Sequence, residues 1–598
     1  MQQVVERAAV ALSLAVLMAG CSEKSQESSR AKAQGDSPLP KSPYVSKCES
    51  GTPGGRLVVA VFGEPKTFNP ITANETSSTD VIGHLFSSLL KIEVPTQEVI
   101  PALAESWKVE PDQVTWTFKL REGVRWSDGR PLTASDVIFT WNDVIYNPEI
   151  NNVTADLFKI DGKNIAVSKV DDYTIRAVTP APYAPFLEYF GAGVAILPKH
   201  VLAKAVAEKK FESAYGVNSK PEEIVVSGPF KLKQYKPGEL VLLQRNPLYW
   251  AVDTKGQRLP YFDNIIWTTV PNFDAMSLRF LKSESDVQDV IRPDEIERFT
   301  EESKKGRFKV IDLGMQMERG FVWFNQNTNV NTKTGKPLVA PHKLRWFRNA
   351  KFRQAISHAM DRPSIIKSIY AGRAIEAAGY ISPANKKWYN PNIPKYVFDP
   401  AKARGLLKEI GIEDRNNDGV LEDADGHEIE FVLNTNAGNS VREKIAVLLK
   451  ADFDKLGIKL IFQPLDFNAL VDKLNGSYDY ECALLTFGAD GTDPVGLING
   501  LKSDGFTHFW FPRQKSPSTE WEARIDFLMN AQLKTLDFNE RKKYFDEVQV
   551  ILAEQLPAIP VVVPNAVCAA RSDLGNLRAS ALTSQRTMWN SDELYFRK

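Results

Sequence analysis

The stretch VREKIAVLLKADFDKLGIKLIF, residues 441–462, decides the fold. From Val441 to Leu456 its apolar residues recur at three- and four-residue intervals, the spacing of one buried helix face. Gly457 stands where such a helix would end, because glycine adopts the left-handed backbone of a C-terminal cap at little cost. Ile458 to Phe462 then reads as a strand. Helix, glycine and strand in direct succession favour an α/β architecture.

The same mixture extends across the chain from Arg56 onward. Leu57-Val58-Val59-Ala60-Val61 reads as a buried strand, and Asp80 to Leu90 as a helix. Trp116 to Leu120 alternates apolar and polar residues as a half-buried strand does. Thr133 is an N-cap for an amphipathic helix running past Trp141. Phe230 to Gln244 reads as two strands around the turn Lys236-Pro237-Gly238. No internal repeat interrupts this pattern.

A chain of 598 residues needs more than one core or domain. Lys plus Arg and Asp plus Glu number 74 each, and this balance gives no basic stripe for nucleic acid. The twelve Trp and seventeen Tyr suit a protein that grips organic ligands, although any single ring is more often core filler.

The amino terminus is a different text. Ala8 to Gly20 is apolar but too short to span a bilayer, which takes roughly 20 residues. With Arg7 before it and a polar tract from Ser22, it reads as a secretory signal peptide over residues 1–21. Residues 22–55, rich in Ser, Lys, Gln, Pro and Gly, are expected to be a disordered tether about 30 Å long. Cys48, Cys482 and Cys568 allow at most one disulfide, and no CxxC is present.

Enzyme signatures are missing: there is no GxSxG, HExxH or GxxxxGK[ST], so no catalytic residue is expected. Asp414-Arg415-Asn416-Asn417-Asp418-Gly419 matches the opening of a calcium loop, with Glu422 and Asp425 at positions nine and twelve. The short Asp425 and a strand-like exit point to turn chemistry instead, and no metal or cofactor is expected.

Four ordered segments carry a resemblance. They are Pro101 to Trp107 continuing through Val124–Gly129 to Val137; Ser227 to Leu232 followed by Arg245 to Trp250; Phe352 to Ile356 with Ala359 to Arg362; and Phe487 to Pro494. Together they resemble extracellular solute-binding protein family 5, the oligopeptide, dipeptide and nickel-binding receptors of ABC importers. Leu17-Met18-Ala19-Gly20-Cys21 likewise resembles a bacterial lipobox, with Met18 where leucine is commonest, and implies an extracytoplasmic lipoprotein anchored at Cys21.

The resemblance implies a two-lobe periplasmic-binding-protein-like α/β fold with an inserted third domain. Lobe I would comprise 56–96, 225–320 and 563–598, the inserted domain 97–224, and lobe III 321–562. It also implies a monomer that hands peptides or peptide-like solutes to a separate permease and ATPase. Nickel chelates, opines and oligosaccharides are alternative cargoes, and a secreted enzyme or chaperone on the same scaffold is a further alternative. Asp490 matches the acidic position that meets a peptide's α-amino group, where a buried ammonium needs a charged partner. Asn74, Glu75 and Thr76 match the segment whose backbone pairs with the ligand like an added strand. Trp323, Trp388 and Phe487 are the aromatic candidates for the ligand wall.

Overall fold

The computed structural model describes residues 38–152, 155–331, 334–487, 493–505, 507–512 and 514–598. The opening stretch folds as expected. Ser440–Leu456 is a helix that buries Ile445, Ala446, Leu449, Phe453 and Leu456 along one face, and Gly457 caps it at φ 94°. The next strand, Lys459–Leu465, pairs in parallel with Glu430–Asn436.

These two strands belong to a five-stranded mixed sheet. Its order is Lys459–Leu465, Glu430–Asn436, Cys482–Phe487, Arg319–Phe324, Ala558–Pro560. A larger mixed sheet runs Phe230–Lys236, Leu240–Arg245, Asn264–Val270, Arg56–Phe62, Val287–Gln288, Val562–Arg571, Phe308–Met315. The chain passes between the two sheets twice. Residues 316–318 join Phe308–Met315 to Arg319–Phe324, and Val561 joins Ala558–Pro560 to Val562–Arg571. Val561 donates its N–H to the Gly320 carbonyl at 2.9 Å, which ties the two crossings together.

A third, antiparallel sheet of four strands is formed by Ala104–Val109, Thr115–Leu120, Thr174–Val178 and Ala166–Asp171. Beside it, Thr133 caps Ala134–Ile138 reciprocally with Asp136, and the chain continues as a wider π-helical turn from Phe139 to Ile145. The hairpin at residues 230–245 forms as read, with Gly238 at φ 71° in its turn.

Two expectations change. The helix expected over Asp80–Leu90 lies at Thr76–Ile82. Ser78 and Glu75 bond one another at its start, and beyond Gly83 the backbone leaves the helix to bond another segment, Leu85 O accepting from Gly228 N at 2.8 Å. The expected tether is docked from residue 38 onward. Tyr44–Val45 pairs in parallel with Ala251–Val252, Ser46 bonds Glu593, and the Lys91 ammonium lies 4.2 Å from the Tyr44 ring. One aromatic ring and a few backbone bonds suffice to dock a stretch whose composition reads as disordered. Cys48, Cys482 and Cys568, which allowed at most one disulfide, are separate thiols, and burial pushes the Cys568 thiol up to about 12.

Candidate functional site

A cavity of about 980 Å³ opens between the two mixed sheets, at the top of the range typical of ligand pockets, roughly 300–1,000 Å³. The larger sheet contributes the end of Arg56–Phe62 with Trp267, and Phe273 from the helix Phe273–Leu281. The five-stranded sheet contributes Trp323 and Phe487. Phe487 stacks on Phe509 with ring centroids 4.0 Å apart, and Trp323 lies 5.4 Å from Phe487. The Trp323 indole N–H donates to the Tyr480 hydroxyl at 3.2 Å, which itself donates to the Phe509 carbonyl at 2.8 Å. These bonds fix the rings as a rigid apolar wall with its polar atoms already satisfied.

Asn74, Glu75 and Thr76 line the opposite side, as Trp323 and Phe487 line theirs. Glu75 is not available as a bare charge, because its carboxylate accepts from the Ser78 hydroxyl and from Asn74 N at 3.3 Å. Trp388 does not reach the cavity. It is fully buried, 5.1 Å from Phe538, with the Arg541 guanidinium 5.0 Å over its ring. Arg541 is held there by two 2.9 Å bonds to the buried Asp493 carboxylate, so Trp388 is part of a packed core. Asp490 and Cys21 lie outside the described residues.

Apart from Glu75, sequence reading missed the charged residues of the cavity. Asp80, Asp289, Glu318, Arg319 and Arg442 all line it. Arg319 donates to the carbonyls of Tyr380 and Met317, the latter at 2.9 Å. Arg442 donates to Asn436 at 2.7 Å and Thr486 at 3.3 Å, and burial lowers its pKa. Burial, then the charge of Asp289, pushes the Asp80 carboxyl up to about 7. Nothing local marks Asp289 or Glu318 as site residues; only the sheet topology brings them together.

The acidic stretch from Asp414 is threaded by its own hydrogen bonds. Asp414 accepts from Asn417 N at 2.7 Å and Gly419 N at 3.0 Å, while Asp425 pairs with Arg345. The carboxylates of Asp414, Asp418 and Glu422 lie within 4.8 Å of one another. Glu422 accepts from Arg415 N at 3.0 Å.

Bacterial extracellular solute-binding proteins, family 5 Middle, is the family whose sequence profile matches residues 98–508. The chain belongs to that family. It is similar to a probable ABC transporter-binding protein of Deinococcus radiodurans, 29% identical with 71% of each chain covered. It is also similar to the oligopeptide-binding protein AppA of Bacillus subtilis, 26% identical over 98% of both. The structure of AppA in complex with a nonapeptide superposes with a TM-score of 0.78 at 25% identity, covering 92% of this chain and all of that one. MelB of Agrobacterium fabrum, in complex with stachyose, has a TM-score of 0.81 at 22% identity, covering 94% and 88%; that likeness concerns the fold alone. This family 5 protein is thus a two-lobe, extracytoplasmic substrate-binding protein of the ABC-importer type, and its fold and family are non-catalytic.

Proposed function

We propose that this protein captures peptides or peptide-like solutes between its lobes, is anchored by a lipidated Cys21, and delivers its cargo to a permease and ATPase on other chains. The observation that carries the reading is the large cavity, with rigid aromatic rings on one side and Asn74 to Thr76 on the other. A peptide suits such a chamber because its backbone pairs with an extended segment whatever its sequence, while apolar side chains lie on the rings. AppA, matched over nearly its full length, is an oligopeptide-binding protein by name. By the family resemblance, Asp490 meets the ligand's ammonium.

Mass spectrometry of small molecules released on denaturing the purified protein tests the cargo. A ladder of peptides is expected; a single sugar or metal chelate would replace the peptide reading. Cys21→Ala tests the anchor, and should release the mature protein from membranes or block its processing. A variant that fractionates with membranes like wild type would remove the anchor from the proposal.

A further inference from the structure

We propose that the unit built on the four-stranded antiparallel sheet latches onto the lobe of the five-stranded sheet when the cleft closes, and that Glu188, sealed in that contact, makes closure take up a proton. The latch depends on the two-lobe frame and on no particular class of solute. The unit is fastened to the lobe of the larger sheet. Phe68 N donates to Tyr215 O at 2.8 Å, Ile196 N to Ser87 O at 3.0 Å, and Asn69 Nδ2 to Phe211 O at 3.1 Å. It therefore travels with that lobe when the crossings at 316–318 and Val561 rotate.

Across the gap, Ala184 N donates to the Leu533 carbonyl at 2.9 Å, the Tyr189 hydroxyl to the Asp493 carbonyl at 3.4 Å, and Lys534 pairs with Asp161. Leu533 and Lys534 end the helix Glu520–Lys534, and Arg541 belongs to the helix Phe538–Gln555. Glu188 stands in the middle of this contact. Its Oε1 is closed off from solvent and has no hydrogen-bond partner among the described residues. The charges that reach its carboxylate are Asp493, Lys387 and Arg541, all from the opposite lobe, and the Asp493 backbone N–H faces it too. Arg541 already holds Asp493 by two 2.9 Å bonds, and the Lys387 ammonium lies 5.2 Å over the Phe538 ring. Tyr183, beside Glu188, donates its hydroxyl to Leu157 O at 2.8 Å. The strands packed against the segment from its own side, Leu90–Glu93 and Glu98–Pro101, carry Lys91, Glu93 and Glu98. Lys91 sits over Tyr44, Glu93 accepts from Arg578, and Glu98 is exposed.

A carboxylate in such a place loses its water and gains no donor at Oε1, so the contact favours the protonated, uncharged form. Burial first, then the negative charge of Asp493, pushes the Glu188 carboxyl up to about 7. With the lobes apart the side chain reaches water and titrates near the ordinary value, about 4.3. A group whose pKa is higher closed than open binds a proton on closing. The latch is then at full strength below the open value, weakens as pH rises toward the closed one, and levels off above it. A captured solute of any class is held more tightly in acid. A part in packing alone would give no such pH dependence.

The experiment uses the emptied full mature chain and no ligand. A carbodiimide joins Lys534 to Asp161 only while the two touch, so the yield of that amide link, read by mass spectrometry, measures the closed population. Lys351 and Glu409, 2.8 Å apart within one lobe, are the internal control for the pH dependence of the chemistry itself. Relative to that control, the wild-type link should fall about tenfold between pH 5 and 7. In Glu188→Gln, and in the apolar Glu188→Met, it should stay level and exceed wild type at pH 7. A ratio that is flat in wild type, or that falls alike in both variants, would overturn the proton coupling. No Lys534–Asp161 link at any pH, beside a normal control link, would overturn the latch itself. Release of a peptide, sugar or chelate in the cargo assay leaves these yields unchanged, so the latch and the peptide reading fail separately.

Discussion

Glu522 shows how much one buried carboxylate can carry. Only 2% exposed, it accepts from Trp510 Nε1 at 3.0 Å, Gln514 Nε2 at 3.1 Å, Ser518 N at 3.0 Å, and the hydroxyls of Ser518 and Thr519 at 2.8 Å each. Burial alone would raise its pKa, but the donors, with His508 at 3.6 Å, outweigh burial and hold it well below the usual range. A depressed folded pKa contributes stability that is present above the unfolded value, about 4.3, and is lost as pH falls through the folded one. Glu522→Gln should therefore cost about 1–3 kcal/mol near neutrality and progressively less in acid. Denaturant melts across that range check it; parallel pH profiles for wild type and variant would contradict the account. The sequence around Glu522 signals only the local half of this network, Thr519 and Glu522 standing at capping-box spacing, because His508, Trp510 and Gln514 reach it by tertiary folding. The same blindness separates Trp323 from Trp388: both are tryptophans in apolar surroundings, and only the position of Arg541 and Asp493 makes the second a core ring.

At the scale of elements, the periodic stretches were legible and the irregular ones were not. Ser440–Leu456, the strand after it and the 230–245 hairpin announce themselves because one face of each is buried at a regular interval. The helix at Thr76–Ile82 was misplaced because its start depends on the Glu75–Ser78 contact and its end on Gly228 bonding Leu85. Gly438, just before Ser440–Leu456, connects element to motion. It sits at φ 81°, and a Cβ there would lie 3.2 Å from both Phe62 and the Pro271 carbonyl, across the cleft. Gly438→Ala should strain the backbone by about 1–2 kcal/mol and also obstruct closure, lowering ligand affinity. Gly335→Ala is the control, since Gly335 has φ 69° with nothing within 4 Å. Affinity should fall in the first variant and hold in the second; equal affinities in both would remove the closure role.

For the whole molecule, the question is what keeps the lobes together. Across the cleft, Lys66 meets Asp472 at 3.4 Å, Lys444 meets Asp294 at 2.7 Å, and Arg292 donates to the Ser440 hydroxyl at 3.2 Å. Exposed ion pairs of this kind contribute roughly 0–1 kcal/mol each and weaken with salt. Two short crossings, at 316–318 and Val561, leave rotation about the hinge as the soft motion. The closed arrangement therefore depends on the ligand, which must bind it more tightly than the open one; shifting a 1:99 population to 99:1 takes about 10⁴-fold differential affinity. Small-angle scattering should report a larger radius of gyration for the empty protein and a contraction on adding saturating ligand, with little response to salt in the filled state. Calorimetry on the same sample establishes occupancy. An unchanged radius at verified saturation would mean that the lobes are already closed before the ligand arrives, and that entry depends on a local opening rather than on the hinge.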